Sequence, residues 1–374
     1  MEQIVGIRAD ANEQIAMGHI MRCITIAKQM KNMRQKTIFF MADRYAHDLL
    51  EAAGMEYVCL NTVWNRMEEE TDRLREELEK AGCTKLLVDS YQATAVYFDK
   101  IKDICKIIYM DDCFEDVYPV DMVINYNAYY VRFPYKEAYG GKAKLLLGTA
   151  YVPLREEFQK AYLQEMGIEP KIRLSFFPAA GRMGKVFRLL KQSWDEKKGK
   201  VSIFLSSGGG DVYDALSGIL LSAAGEEVFR RSVFHVVVGK FNPNREKLEE
   251  LAKRNASVKL HYNVNNMAEL MGICDIAVSA AGTVLFELCA MQIPTVFFVC
   301  ADNQIYDSEF FAREERMLFA GDIRANRKEC LGRIMENLKI LLQDRALRKR
   351  MKEALRQVTD GQGAARIAEE IWRL

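Results

Sequence analysis

Short apolar runs alternate with charged, helix-periodic segments along this chain, and the alternation occurs twice. Ile4 to Ile7, Thr37 to Met41, Met55 to Leu60, Lys85 to Asp89 and Lys106 to Met110 read as buried strands. Helical patterns separate them, from about Gly18 to Met30, after Tyr45, from Glu68 to Ala81 and after Ala93. Near-continuous apolar strands with helices between them are the pattern of a parallel sheet, because parallel pairing needs a crossover and covers both faces. Right-handed crossovers then place helices on each side of the sheet.

The rhythm falters between about Gly148 and Lys200, where aromatic and charged residues mix around Pro153, Pro170 and Pro178. It resumes with Val201 to Leu205, a glycine-rich turn, a helix from Val212, and strands at Val233 to Val238, Val258 to Leu260, Ile276 to Ser279 and Thr295 to Val299. From Asn326 the chain is helical and charged, with a turn at Asp360 to Gly363. The length of 374 residues, 49% of them apolar, suits two cores better than one. The expected organisation is an α/β domain over 1–150, a connecting segment with an insertion over 151–199, a second α/β domain over 200–325 and a helical extension over 326–374. Two doubly wound domains facing each other would leave a cleft at the carboxyl ends of their strands, where such sheets bind ligands.

Composition narrows the partners. Lys plus Arg total 53 against 52 Asp plus Glu, so no strong field gathers nucleic acid or anionic lipid. No apolar run approaches 18 residues, so no membrane insertion is expected. The opening Met1 to Arg8 has no signal-peptide pattern, and the nine cysteines lack a CxxC pair and mostly sit in apolar runs. The expectation is a cytoplasmic protein with core thiols.

Several strand ends carry polar residues suited to chemistry. After the first strand, Gly18-His19-Ile20-Met21-Arg22 opens a helix, where Gly18 admits a ligand close to the backbone and the first-turn N–H groups favour an anion. His19 stands there either as a general base or as a helix-terminal residue that only hydrogen-bonds. Asp89-Ser90-Tyr91 ends another strand, with Asp89 either a ligand contact or a helix cap. Asp111-Asp112 has the look of a metal pair, but no histidine or third carboxylate stands at ligand spacing, so no metal is expected. In the second half, Gly208-Gly209-Gly210-Asp211 and Ala281-Gly282-Thr283 each join a strand to a helix in a shape suited to phosphate. Neither matches a P-loop or GxGxxG. Glu287, one turn into an apolar helix, is either a solvated residue or an acceptor for a ribose diol.

Taken in order, Gly18 to Arg22, Asp89-Ser90-Tyr91, Asp111-Asp112, Asn125-Tyr126-Asn127 and Leu154-Arg155-Glu156-Glu157-Phe158 resemble a known family. Gly208 to Asp211, Ser279 to Glu287 and Asp302-Asn303-Gln304 continue the match. The family is that of the UDP-2,4-diacetamido-2,4,6-trideoxy-β-L-altropyranose hydrolases of the pseudaminic acid pathway, with their spore coat polysaccharide relatives. It is similar to the MurG-like glycosyltransferases. The resemblance therefore implies a GT-B fold of two Rossmann-like domains and a UDP-sugar substrate, without cofactor or metal. It implies His19 as the catalytic base, with Asp89 and Tyr91 orienting the water or the sugar. Gly18, Arg22, Asn127 and Arg155 fall on the sugar side, and Gly208, Gly209, Ala281, Gly282 and Thr283 on the diphosphate side. Glu287 matches the acid that holds the uridine ribose, Met267 is the backbone contact to uracil, and Asn303 and Gln304 complete the substrate-binding set.

The chain departs from the family at Ala16, Ser90 and Gln92, where glycine, histidine and glycine are expected, and these positions line the sugar side. The implied reaction is hydrolysis at the anomeric C–O bond with inversion. The alternatives are a GT-B glycosyltransferase that hands the same sugar to an acceptor, and a nucleotide-sugar binding subunit without catalysis. No apolar or basic stretch of the kind a lipid acceptor would favour is visible in the first half.

Overall fold

Seven parallel strands build the first of two units, which comprises Met1–Arg155 and Gly361–Leu374. The computed structural model describes residues 3–15, 17–167, 199–240 and 242–374. The strands are β1 (Ile4–Ala9), β2 (Lys36–Met41), β3 (Glu56–Cys59), β4 (Cys83–Asp89), β5 (Lys106–Met110), β6 (Met122–Asn125) and β7 (Lys144–Leu147). Their order is β3-β2-β1-β4-β5-β6-β7, so the sheet winds outward in both directions from the β1–β4 pair. At this switch point Ala9 lies opposite Asp89, and the loops after β1 and β4 leave the sheet side by side.

Just before that point β1 carries a fully buried arginine. Arg8 grips Glu70 through Nε and Nη2 at 2.6 and 2.8 Å and donates to Asp10 at 2.5 Å. Glu70 also accepts from Thr62 and Tyr97, and Asp10 from the Ala42 N–H, so each buried carboxylate has hydrogen-bond donors beyond Arg8, as burial requires. The cluster ties the loop after β1 to β2 and to the turn before helix Thr71–Ala81.

The last helix, Gly363–Arg373, packs on this same unit against helix Gly18–Asn32, burying Ile367, Ala368 and Ile371. A side chain at Gly363 would place its Cβ 2.2 Å from the Val152 carbonyl oxygen, so glycine alone permits the approach. Lys85, buried on β4, donates to the carbonyls of Ile371 and Trp372 at 2.7 and 3.0 Å, satisfying the orphan acceptors of the helix end.

The second unit, Glu156–Asp360, holds six parallel strands among its described residues: β8 (Val201–Ser206), β9 (Ser232–Val238), β10 (Val258–Tyr262), β11 (Ile276–Ala280), β12 (Thr295–Val299) and β13 (Leu318–Asp322). The order β10-β9-β8-β11-β12-β13 repeats the logic of the first sheet, with Ser206 opposite Ser279 at its switch point. Helices Ala215–Ala224 and Arg327–Gln343 cross closely at Gly218, where a Cβ would lie 2.7 Å from Leu331. Among the described residues, no helix is long and apolar enough to cross a membrane.

Three strands exceed the sequence expectation, namely β6, β7 and β13, all short and toward the sheet edges. The helix expected from Val212 begins at Ala215, because Asp214 takes a left-handed conformation with φ +50° and Asp211 caps the helix from the loop. The stretch after Asn326, read as one extension, is divided: Arg327–Leu355 lies in the second unit and Gly363–Arg373 in the first. Of the expected insertion, 168–198 lies outside the described residues, as does Ala16. Six cysteines are buried, while Cys113 stands exposed after β5.

Candidate active site

The turn after β1 delivers His19 at the second position of helix Gly18–Asn32, and β4 ends on Asp89. The β1–β4 pairing brings the two together: His19 Nδ1 lies 2.7 Å from Asp89 Oδ1. Asp89 does not cap the next helix, a role taken by Thr94. One helical turn beyond His19, Arg22 meets the same carboxylate in a bidentate fork, Nε to Oδ2 at 2.6 Å and Nη2 to Oδ1 at 2.5 Å. Its Nη1 donates to Asp112 at 2.8 Å and to the Tyr126 hydroxyl at 2.7 Å.

Asp112 in turn accepts from Tyr91 at 3.0 Å and from Asn127 at 2.9 Å, so the chain of bonds runs His19, Asp89, Arg22, Asp112, Tyr91 and Asn127. The Tyr91 ring stands edge-on to His19 with centroids 4.8 Å apart, packing the imidazole from the side.

Nδ1 lies 2.7 Å from the Asp89 carboxylate, which can only accept, and 3.2 Å from Arg22 Nη2; with Nδ1 donating to Asp89, Nε2 is the ring's free position. Nε2 has no hydrogen-bond partner among the described residues. Burial alone would raise the Asp89 carboxyl, but the charges of Arg22 and His19 outweigh it and hold the group well below the usual carboxylate range. Burial and Asp112 push the Tyr91 phenol up, and Tyr126 is pushed up to about 12 by burial despite the opposing charge of Arg22. Both remain neutral hydrogen-bonding groups at physiological pH. Asp112 is engaged by Arg22, Tyr91 and Asn127, and no group of three metal-ligating side chains occurs among the described residues.

A cavity of about 20 Å³ opens on this network, lined by Asp10, Ile15, His19, Trp64, Asp89, Ser90, Tyr91 and Gln92. That space holds about one water molecule.

The switch point of the second sheet is built differently, from backbone. After β8, Gly208 adopts φ +78° and its N–H donates to Ser206 Oγ at 3.2 Å. Asp211 accepts from the N–H groups of Ala215 and Leu216, capping the helix that follows. Gly239, after β9, presses on this loop so tightly that a Cβ there would lie 2.4 Å from the Gly209 carbonyl oxygen. After β11, the Ala281 N–H donates to the Phe298 carbonyl, Gly282 takes φ +125°, and Thr283 opens helix Thr283–Ala290.

Gln304 closes this side. Its Oε1 accepts from the Cys300 N–H at 2.9 Å, and its Nε2 comes within 3.9 Å of where a Cβ on Gly282 would sit. Glu287 lies half-buried in helix Thr283–Ala290, and Met267 opens helix Met267–Gly272 after β10. Asn303 belongs to the turn Asp302–Gln304, and Arg155 ends the main segment of the first unit.

The expected residues thus gather at two places. On the first sheet, His19, Asp89, Arg22, Tyr91 and Asn127 form one hydrogen-bonded group, with Gly18 opening the helix that carries two of them. Gly208, Gly209, Ala281, Gly282, Thr283 and Gln304 lie at the carboxyl edge of the second sheet. In the sequence Asp112 reads as an unfavoured metal candidate and as part of the family pattern, with no site role given to it, and neither Trp64 nor Asp10, which line the His19 cavity, stands out. Asp10, at a strand end, carries a positional signal; Trp64, in a loop, carries none.

Comparison with known proteins fits this architecture. A model of the lipid-A-disaccharide synthetase family matches residues 186–302. The chain is 21% identical over 311 residues to the UDP-2,4-diacetamido-2,4,6-trideoxy-beta-L-altropyranose hydrolase of Campylobacter jejuni, covering 82% of this chain and 95% of that protein. It is 21% identical over 366 residues to the spore coat polysaccharide biosynthesis protein SpsG of Bacillus subtilis, covering 97% and 96%. Among solved structures, MurG of Acinetobacter baumannii aligns over 100% of both chains with a TM-score of 0.65 at 12% identity. The fold is the two-domain GT-B fold of glycosyltransferases.

Proposed function

We propose that this protein hydrolyses a UDP-linked 2,4-diacetamido-2,4,6-trideoxyhexose at its anomeric C–O bond, with inversion, releasing UDP and the free sugar for surface polysaccharide or nonulosonic acid synthesis. The observation that carries the reading is His19, held through Nδ1 by a charged, buried Asp89 while Nε2 is left unbonded among the described residues. This is the arrangement of a general base whose tautomer is fixed by a carboxylate. The names of the two relatives, at 21% identity over most of the chain, support the substrate class.

In the proposed reaction, His19 Nε2 takes a proton from water as the water oxygen bonds to C1, and the C1–O bond breaks with its electron pair leaving on UDP. Diphosphate is a good leaving group, and the backbone N–H groups of Gly209, Gly282 and Thr283 stabilise its charge while Gly208 and Ala281, whose own N–H groups bond within the protein, shape the two turns, so the step needs no metal. Glu287 accepts from the ribose, the Met267 backbone meets uracil, and Asn303 and Gln304 complete the nucleotide's contacts. Gly18, Arg22, Asn127 and Arg155 serve the sugar side, Arg22 by holding Asp89 and Asp112 in place.

The test is UDP release from UDP-2,4-diacetamido-2,4,6-trideoxy-β-L-altropyranose in ¹⁸O-water with no acceptor. Label in the free sugar is the expected result. Tight UDP binding without release would favour the second reading, a glycosyltransferase, which draws on the match to the lipid-A-disaccharide synthetase model. Unchanged behaviour of a His19→Ala variant would favour a binding subunit.

A further inference from the structure

The space beside His19 limits what can attack C1, an inference that rests on the hydrolytic reading above. Its volume, about 20 Å³, has room for about one water. Two of the residues that line it, Ile15 and Trp64, carry large apolar side chains, and Trp64 sits in the loop between β3 and the turn Met67–Glu70.

The polar groups around it are those a bound water needs. His19 Nε2, the Trp64 indole N–H and the Gln92 side-chain amide have no hydrogen-bond partner among the described residues. Ser90 Oγ accepts from the Gln92 backbone N–H and keeps its own proton to donate. A buried water makes about three hydrogen bonds, and this set supplies donors and acceptors for that number.

We propose that this cavity seats the reacting water, and that Trp64 and Ile15 wall it so that water, not a larger alcohol, attacks C1. Gln92 and Ser90 hold that water against His19 Nε2. At both positions the resemblance leads to other residues, a histidine for Ser90 and a glycine for Gln92. When an alcohol enters in place of water, its oxygen bonds to C1, its O–H proton goes to His19 Nε2, and UDP leaves as before, giving an alkyl glycoside instead of free sugar.

The partition between these products tests the seat. With the full-length protein, the UDP-sugar named above and about 2 M methanol, the wild type is expected to give free sugar almost exclusively. Trp64→Ala is expected to raise the ratio of methyl glycoside to free sugar at least tenfold, and Ile15→Ala to raise it less. Trp64→Phe, which keeps the wall and loses the N–H, is expected to keep the wild-type partition with a lower kcat. Because the partition is a ratio of products, a partly unfolded variant lowers the yield without moving it. A wild type that hydrolyses the substrate but shows the same partition as Trp64→Ala and Ile15→Ala would overturn the water seat and leave the hydrolytic reading standing. A wild type that releases no UDP would overturn both.

Discussion

The two sheets share one strand order over six strands and carry their candidate site residues at the same topological point, yet they fill that point with opposite materials. On the first sheet it holds ionised side chains, Arg22 forked onto Asp89 and bridged to Asp112, with His19 fixed beside them. On the second it holds glycines and backbone, Gly208 at φ +78° and Gly282 at φ +125°. Each filling suits a different task. Moving a proton requires a titratable group in a fixed orientation, which side-chain networks provide. Holding a diphosphate requires several N–H donors converging on a small volume, which only closely approachable backbone provides.

Removing the side chain at the centre of the first network tests this division most severely. His19→Ala is expected to lower kcat by roughly 10²- to 10⁴-fold, the range for loss of a positioned general base, while the Kd for UDP by calorimetry changes less than twofold. Equal loss of turnover and UDP binding would show that the two sites do not divide the work.

Asp89→Asn probes the same network through stability. It replaces one of the two carboxylates that Arg22 meets by a neutral amide and leaves Asp112 as its charged partner, an expected cost of about 1–3 kcal/mol at neutral pH. Because the folded carboxyl is held below its unfolded value of about 3.9, its contribution is complete above that pH and is lost as pH falls through the folded value. Urea denaturation should therefore show the wild type well above Asp89→Asn at pH 7, with the gap narrowing below about pH 4. A gap that stayed constant into acid would mean that the carboxylate charge is not what stabilises the site.

On the backbone side, Glu287→Ala is expected to weaken UDP binding by about 10- to 100-fold, the scale of a lost hydrogen bond to a charged group, with kcat at saturation largely kept. An unchanged affinity would show that the ribose is held elsewhere.

Much of this arrangement is legible in the sequence, and the reasons are local. The strands β1, β4, β8 and β11 are apolar runs that end in polar residues, so the switch-point loops and His19, Asp89 and Gly282 follow from pattern and topology. What escapes lacks a local signature. Strands β6 and β7 have four residues each and lie among aromatic and charged neighbours, too short for periodicity to register. The bond from Arg22 to Tyr126 spans 104 residues, and a long-range side-chain contact of this kind has no trace in a single sequence. Asp111 and Asp112 look alike in the sequence but part in the fold: Asp112 joins Arg22, while Asp111 turns back to accept from the Cys113 and Phe114 N–H groups.

A subtler substitution separates a glycine needed by the fold from one needed by a ligand. At Gly208 the left-handed backbone confounds the two, since any side chain there is strained with or without a phosphate. Gly209 does not have that constraint, and a Cβ built on it meets no heavy atom within 4 Å. Gly209→Ala should therefore change stability by no more than about 0.5 kcal/mol, as for an unconstrained surface site. If the diphosphate lies against this loop, the added methyl occupies space the ligand needs, and the Kd for UDP should rise a few-fold while Tm stays put. An affinity as unmoved as Tm would mean that the loop after β8 is only a helix-capping turn, leaving the Gly282 turn to carry the phosphate alone.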